Sequence, residues 1–154
     1  MIKIDLLKNN AGNIPVFARI LDAMLGNLWQ PAVQLSEVES WLYEWLNDSI
    51  PMAYVALENS IPVGICSLQL NDDIHSDLSP WLGDLCVAKD YQRRGIGKLL
   101  IAAVKNKAKE QGFSKLYLFS HANTVTNYYM RLGWQETEAS NYRGHPGIIM
   151  GIEL

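Results

Sequence analysis

The spacing of apolar positions changes along the chain, and each change marks an element. Residues 2–7 read as a short first strand. Asn13 then stands two residues before Pro15, which predicts a helix cap followed by proline in the first turn. Phe17, Ile20, Leu21, Met24, Leu25 and Leu28 follow at helical spacing, and Pro31 stops the run. Ser36 and Glu39 have the spacing of a capping box, so a second helix is expected to open at Ser36. Its apolar face is Val38, Trp41, Leu42, Trp45 and Leu46. Trp41 and Trp45 carry two readings: core packing, or the wall of a substrate pocket, which suits an amphipathic indole.

Residues 52–57 and 61–70 are β-rich apolar runs separated by Glu58, Asn59 and Ser60, the pattern of an antiparallel hairpin. Residues 71–80 form a polar loop with Asp72, Asp73, His75 and Asp77. Residues 81–87 predict a strand, and residues 96–111 a helix with Ile96, Leu99, Leu100, Ala103 and Val104 on its apolar face. Gly112 is placed to cap that helix. Residues 116–119 read as a short buried strand and 124–132 as a short helix ended by Gly133. Residues 134–138 and 148–152 read as closing strands, joined by a loop with Tyr142, Arg143, Gly144 and Pro146. The order β-α-α-β-β-β-α-β-α-β-β predicts an α/β fold of the α+β type: a mixed sheet with helices on both faces. No repeat or linker divides it, so residues 1–154 are expected to form one domain.

Composition narrows the function. A chain of 154 residues, 49% apolar and 19% charged, suits one sizeable core and is neither disordered nor fibrous. A net charge of −3 with no basic face argues against nucleic acid as partner. No apolar run reaches membrane length and residues 1–5 do not resemble a signal peptide, so a cytoplasmic protein without a membrane partner is expected. Cys66 and Cys86 both lie in apolar strand-like runs and read as reduced core thiols. The three histidines are scattered, and no Cys/His spacing calls for a metal.

The chemistry concentrates between the strand over residues 81–87 and the long helix. Gln92, Arg93, Arg94, Gly95, Ile96, Gly97 and Lys98 form a basic glycine turn that opens a helix. Glycines let the backbone approach a ligand, and the free N–H groups of a first helical turn favour a phosphate. A P-loop needs four residues between its glycines, and one separates Gly95 from Gly97. A dinucleotide fingerprint needs a third glycine where Leu100 stands. The pattern Gln/Arg-x-x-Gly-x-Gly/Ala is met at every fixed position.

That turn, preceded by Leu85, Cys86, Val87, Ala88, Lys89, Asp90 and Tyr91, resembles the central motif of the GNAT N-acetyltransferase superfamily. Asn127, Tyr128, Tyr129, Met130, Arg131, Leu132, Gly133 and Trp134 resemble the family's second segment, an aromatic-Tyr-x-x-x-Gly-aromatic pattern. The element order resembles the family over nearly the whole chain. The resemblance implies a GNAT-like fold, acetyl-CoA as cosubstrate, and transfer of acetyl to a primary amine by direct attack on the thioester. The main chain of residues 93–98 would hold the pyrophosphate, with Arg93 or Arg94 adding charge-assisted bonds. Leu85 and Val87, with Cys86 between them, would pair with the pantetheine arm. Tyr129 matches the family tyrosine that protonates the leaving thiolate. The amine needs a base, and Asp84 and His121 are the candidates. Glu58, Asp72, Asp73 and Asp77 are weaker ones that would instead attract a cationic acceptor. Family members often carry asparagine about seven residues before the tyrosine; Ala122 stands there, and Asn123 beside it is the substitute contact. The two N-terminal helices and the loops over residues 71–80 and 142–146 are expected to border the acceptor, a small molecule by preference. A CoA-binding sensor without catalysis is the alternative, and the oligomeric state stays open, a homodimer included.

Overall fold

The computed structural model describes residues 1–29, 32–71, 73–74 and 77–154. Seven strands form one sheet: β1 (Ile2–Leu6), β2 (Met52–Glu58), β3 (Ile61–Gln69), β4 (Trp81–Val87), β5 (Lys115–Ser120), β6 (Gln135–Tyr142) and β7 (His145–Glu153). Their spatial order is β1-β2-β3-β4-β5-β7-β6. Every neighbouring pair is antiparallel except β4 and β5, which are parallel. The helices are α1 (Ile14–Leu25), α2 (Leu35–Glu44), α3 (Ile96–Glu110) and α4 (Asn123–Arg131). The predicted element order is the observed one, with short 3-10 turns added.

Both faces of the sheet are covered, which is why β2 and β3 read as nearly continuous apolar runs. Ala53, Val55 and Leu57 pack with Phe17, Leu21, Val38 and Leu42 of α1 and α2. Their strand neighbours Tyr54 and Ala56 turn the other way, towards Leu100 and Val104 of α3. Tyr129 and Trp134 complete that second core.

The centre of the sheet is opened by one irregularity. β4 and β5 share a single ladder pair, Trp81 with Tyr117, and the Tyr117 N–H donates to the Pro80 carbonyl at 3.0 Å. On the other side of β4, Ile65 pairs with Cys86 but Ser67 pairs with Gly83. Asp84 and Leu85 therefore stand opposite Cys66 alone, a β-bulge, and Asp84 takes a left-handed φ of 53°. A bulge bends its strand, and past Trp81 β4 diverges from β5.

Several local expectations are corrected. Ser36 and Glu39 form no capping box: α2 begins at Leu35, with Gln34 before it and no side-chain cap, so Ser36 lies inside the helix. Asn13 precedes α1 with Pro15 in its first turn, but its side chain caps nothing. The loop expected over residues 142–146 is a two-residue turn, Arg143 and Gly144, at φ 48° and 85°. The ladder of β6 and β7 runs on to Tyr142 and His145, so Pro146 lies within a strand. Expectations for Pro31, Asp72 and His75 lie outside the described residues.

Candidate active site

The divergence of β4 from β5 leaves three adjoining hollows. The first, about 600 Å³, is a groove along the exit of β4 and the start of α3. Leu85, Cys86 and Val87 line it, with Gln92, Arg93, Gly95, Ile96, Gly97 and Lys98 opposite Val125 and Tyr128. Gly95 caps α3 at φ 80°, a conformation glycine adopts without strain. The Leu99 N–H is bonded to the Gly95 carbonyl at 3.2 Å, the first turn of the helical ladder. The N–H groups of Ile96, Gly97 and Lys98 come before it and are the orphan donors of the helix start. The Tyr128 hydroxyl hangs over Gly97, 3.3 Å from where a Cβ would stand.

The two arginines of the turn have different environments. Arg94 reaches Glu58 at 3.4 Å and the Asp90 carbonyl at 3.3 Å, and its guanidinium lies over the Tyr91 ring. It braces the turn from outside and is not part of the groove lining. Arg93, at φ 64°, lines the groove. Gln92 lines it too, and its side-chain amide donates to the Val87 carbonyl at 3.0 Å, tying the turn to the end of β4.

The second hollow, about 310 Å³, fills the splay itself. Leu85, Cys86, Val125 and Tyr129 are shared with the groove, so the two are continuous. Asp84 and His121 line the same cavity. The three residues singled out for catalysis are thus brought together, although Asp84 and Tyr129 stand 45 positions apart in the sequence (129 − 84).

Their environments differ sharply. The Asp84 carboxylate accepts from the Ser67 hydroxyl at 2.9 Å and the Gln69 amide at 3.2 Å. Burial raises its pKa to about 6; those two hydrogen bonds oppose the rise, and the charge of Asp73 adds to it. Tyr129 is buried, with its ring edge-on to Tyr128 at 5.3 Å and Trp134 at 5.7 Å. Burial pushes its phenol well above the usual value, so it is protonated at neutral pH. His121 is exposed at the rim, and desolvation followed by the nearby His145 lowers its pKa. Both cysteines are buried and outside any disulfide, and burial holds the Cys86 thiol protonated.

Asn123 is the exposed first residue of α4, and the groove lining there is Thr124 and Val125. Tyr142, in the segment expected to border the acceptor, lines two of the hollows, and Tyr91, Tyr128 and Trp29 line them without having been singled out for this. Tyr128 stands beside Tyr129 in the second motif segment, which is the sequence signal that would have found it. Trp29 gave none, because tertiary folding alone brings it in.

A parallel pair opened by a bulge beside a glycine turn on a helix start gives an elongated groove that ends on the orphan N–H groups of α3. The chain belongs to the GNAT acetyltransferase family, whose model matches residues 14–134. A Bacillus subtilis protein assigned as an acetyltransferase is 28% identical over 98 residues, which is 62% of this chain and 62% of that protein's length. N-acetylglutamate synthase from Neisseria gonorrhoeae, solved with coenzyme A and N-acetyl-glutamate, superposes with a TM-score of 0.75 at 18% identity, over 100% of this chain and 35% of that one. Ribosomal-protein-alanine N-acetyltransferase from Brucella melitensis gives 0.73 at 18% identity, over 100% and 99%. At these identities the structural likenesses are of fold. Among the described residues no helix is long and apolar enough to cross a membrane.

Proposed function

We propose that the chain, as one domain over residues 1–154, transfers an acetyl group from acetyl-CoA to the primary amine of a small molecule. The observation that carries the reading is the central cavity: a carboxylate with a pKa of about 6 and a buried phenol both line it, beside a groove with free helix N–H groups. The fit to acetyl-CoA rests on that groove, which offers orphan N–H donors, Arg93 and Lys98 at its helix end and the stretch of β4 past Trp81 that forms no ladder with β5. These suit a pyrophosphate at one end and an amide-bearing arm along the other.

Bound acetyl-CoA supplies the acetyl thioester. The main chain of Leu85 and Val87 holds the arm, and N–H groups at the bulge polarise the thioester carbonyl. Asp84 takes the proton that the ammonium must lose before its nitrogen attacks, directly or through water. His121, neutral at the rim, passes that proton to solvent. A C–N bond forms and the C–S bond breaks. Tyr129 gives its proton to the departing sulfur and is reprotonated by the second proton that the nitrogen loses as the amide forms, so the products are the amide and the free thiol. The cation-attracting role expected for the loop acids falls to Asp73, which lines the neighbouring hollow. A cytoplasmic location agrees with two cysteines outside any disulfide.

Tyr129→Phe tests the scheme. With release of the CoA thiol as readout, turnover should fall about 100-fold or more while acetyl-CoA affinity changes little, since general-acid catalysis contributes about that much. Unchanged turnover with chemistry rate-limiting would remove Tyr129 from the reaction. A chain that binds acetyl-CoA but releases no thiol with any amine would be a sensor instead.

A further inference from the structure

A third hollow, about 250 Å³, opens on the far side of Asp84 from the cofactor groove. It shares Trp29, Asp84 and Tyr142 with the central cavity, so a molecule whose amine reaches Asp84 leaves its remainder here. Its walls are chemically uniform in an unusual way. Trp29, Trp41, Trp45 and Tyr142 supply four aromatic rings. Trp29 and Trp41 meet edge to face at 5.1 Å and 88°, so two indole planes lie at right angles. Trp29 and Trp45 are 3% and 5% exposed, which fixes both rings. Glu44 and Asp73 join Asp84 as the carboxylates, and Gln69 and Asn71 add neutral polar groups. Arg143 is the one cation among the described lining residues, and its guanidinium lies over the Tyr142 ring, 5.6 Å from the centroid.

Aromatic faces attract cations through their quadrupole, and most strongly when the cation has shed water. Carboxylates at the mouth of such a box add charge attraction and concentrate cations there. A neutral apolar tail would be served by the rings alone and would leave Glu44 and Asp73 without purpose. An anionic tail would meet three carboxylates against one guanidinium already engaged with Tyr142.

We propose that the acceptor carries a second cationic group, and that the hollow formed by Trp29, Trp41, Trp45, Tyr142, Glu44 and Asp73 is the subsite that holds this distal cation while the reacting amine lies at Asp84. The acceptor class is therefore an aliphatic diamine or longer polycationic amine. This rests on the acetyl-transfer reading above and adds the specificity that reading lacks. It also gives Trp41 and Trp45 both roles the sequence left open: Trp45 is in the core, and both rings face the pocket.

The test compares three primary amines of matched length that differ at the far end: putrescine (cationic), n-butylamine (neutral) and γ-aminobutyrate (anionic). Thiol release gives kcat/KM for each, and thermal melting with acetyl-CoA reports cofactor binding separately. Putrescine should exceed n-butylamine by about tenfold or more, mostly through a lower KM, and γ-aminobutyrate should be poorest. Glu44→Gln combined with Asp73→Asn should bring the putrescine to n-butylamine ratio close to one, with stabilisation by acetyl-CoA retained as proof of folding. Equal rates on putrescine and n-butylamine, or preference for γ-aminobutyrate, would overturn the subsite and leave acetyl transfer standing. Cofactor binding without acetylation of any of the three would overturn it as well. Failure to bind acetyl-CoA at all would remove the transfer reading and the subsite together.

Discussion

At the scale of a residue, Asp84 combines two features that oppose each other. Its left-handed backbone creates the bulge that opens the sheet, and its carboxylate is desolvated by the same fold. A carboxylate whose pKa is raised from 3.8 to about 6 binds its proton more tightly in the folded chain than in the unfolded one. Stability from this group is therefore highest at low pH and falls as pH rises between those two values. Above about pH 6 the ionised carboxylate costs the fold roughly 2–3 kcal/mol. Asn tolerates a left-handed φ, so Asp84→Asn keeps the bulge while removing the charge. It should raise the thermal midpoint at about pH 8, and the gain should disappear near pH 4. The same substitution should lower kcat by about 100-fold or more. In the wild type kcat should rise with pH through about 6. Melting curves across that range, paired with rate profiles, check both halves; equal midpoints at high pH would show that the site carries no such cost.

At the scale of elements, the closing hairpin of β6 and β7 borders the cavity through Tyr142 and packs closely on β5 at Gly147. A Cβ on Gly147 would collide with the Ser120 carbonyl oxygen and the Phe119 ring of β5. Phe119 lines the central cavity and packs on Tyr142 at 6.3 Å. Gly147→Ala should destabilise by about 3 kcal/mol, at the upper end for overpacking because a backbone atom blocks relief. Gly12→Ala, with nothing within 4 Å and no positive φ, is the control and should stay within about 0.5 kcal/mol. Denaturant unfolding of both variants decides the matter. The same hairpin marks what the sequence did not reveal. β6 is an edge strand with hardly a buried residue, so Glu136, Thr137, Glu138, Ser140 and Asn141 carry no alternation, and the strand reads as ending four residues early. The glycine turn was legible because its chemistry is local: spacing alone fixes where the N–H groups point. The Ser36 and Glu39 pair failed for the converse reason, since a cap is a hydrogen bond and spacing only permits one. Asp84, His121 and Tyr129, each near a motif, were legible as candidates, and they line one cavity. The aromatic box was legible only in part: Trp41, Trp45 and the loop of Tyr142 were expected near the acceptor, while Trp29 and the meeting of all four rings come from separate stretches that only the folded sheet gathers.

At the scale of the molecule, the sheet is two antiparallel halves, β1–β4 and β5–β7, whose strands meet at one ladder pair. The α3 crossover and its core join them on one face. The groove and the cavity lie along the gap where further pairs would otherwise form. A ligand seated there contacts both halves and substitutes for the missing ladder. Acetyl-CoA, binding the folded chain alone, should stabilise it by about 2.7 kcal/mol at a hundredfold excess over Kd. That is a rise of roughly 5–10 °C in Tm for a chain of this length. ATP and NAD should give no comparable rise, since neither offers the arm that runs along β4. The stabilisation should also have a spatial signature. Amide exchange should slow at residues 82–87 on one half and at 118–125 on the other, together with the start of α3. Protection confined to the glycine turn would mean that the phosphate end binds while the arm does not bridge the halves. The pairing between cofactor and strand would then be wrong, although the anion site at the head of α3 would stand.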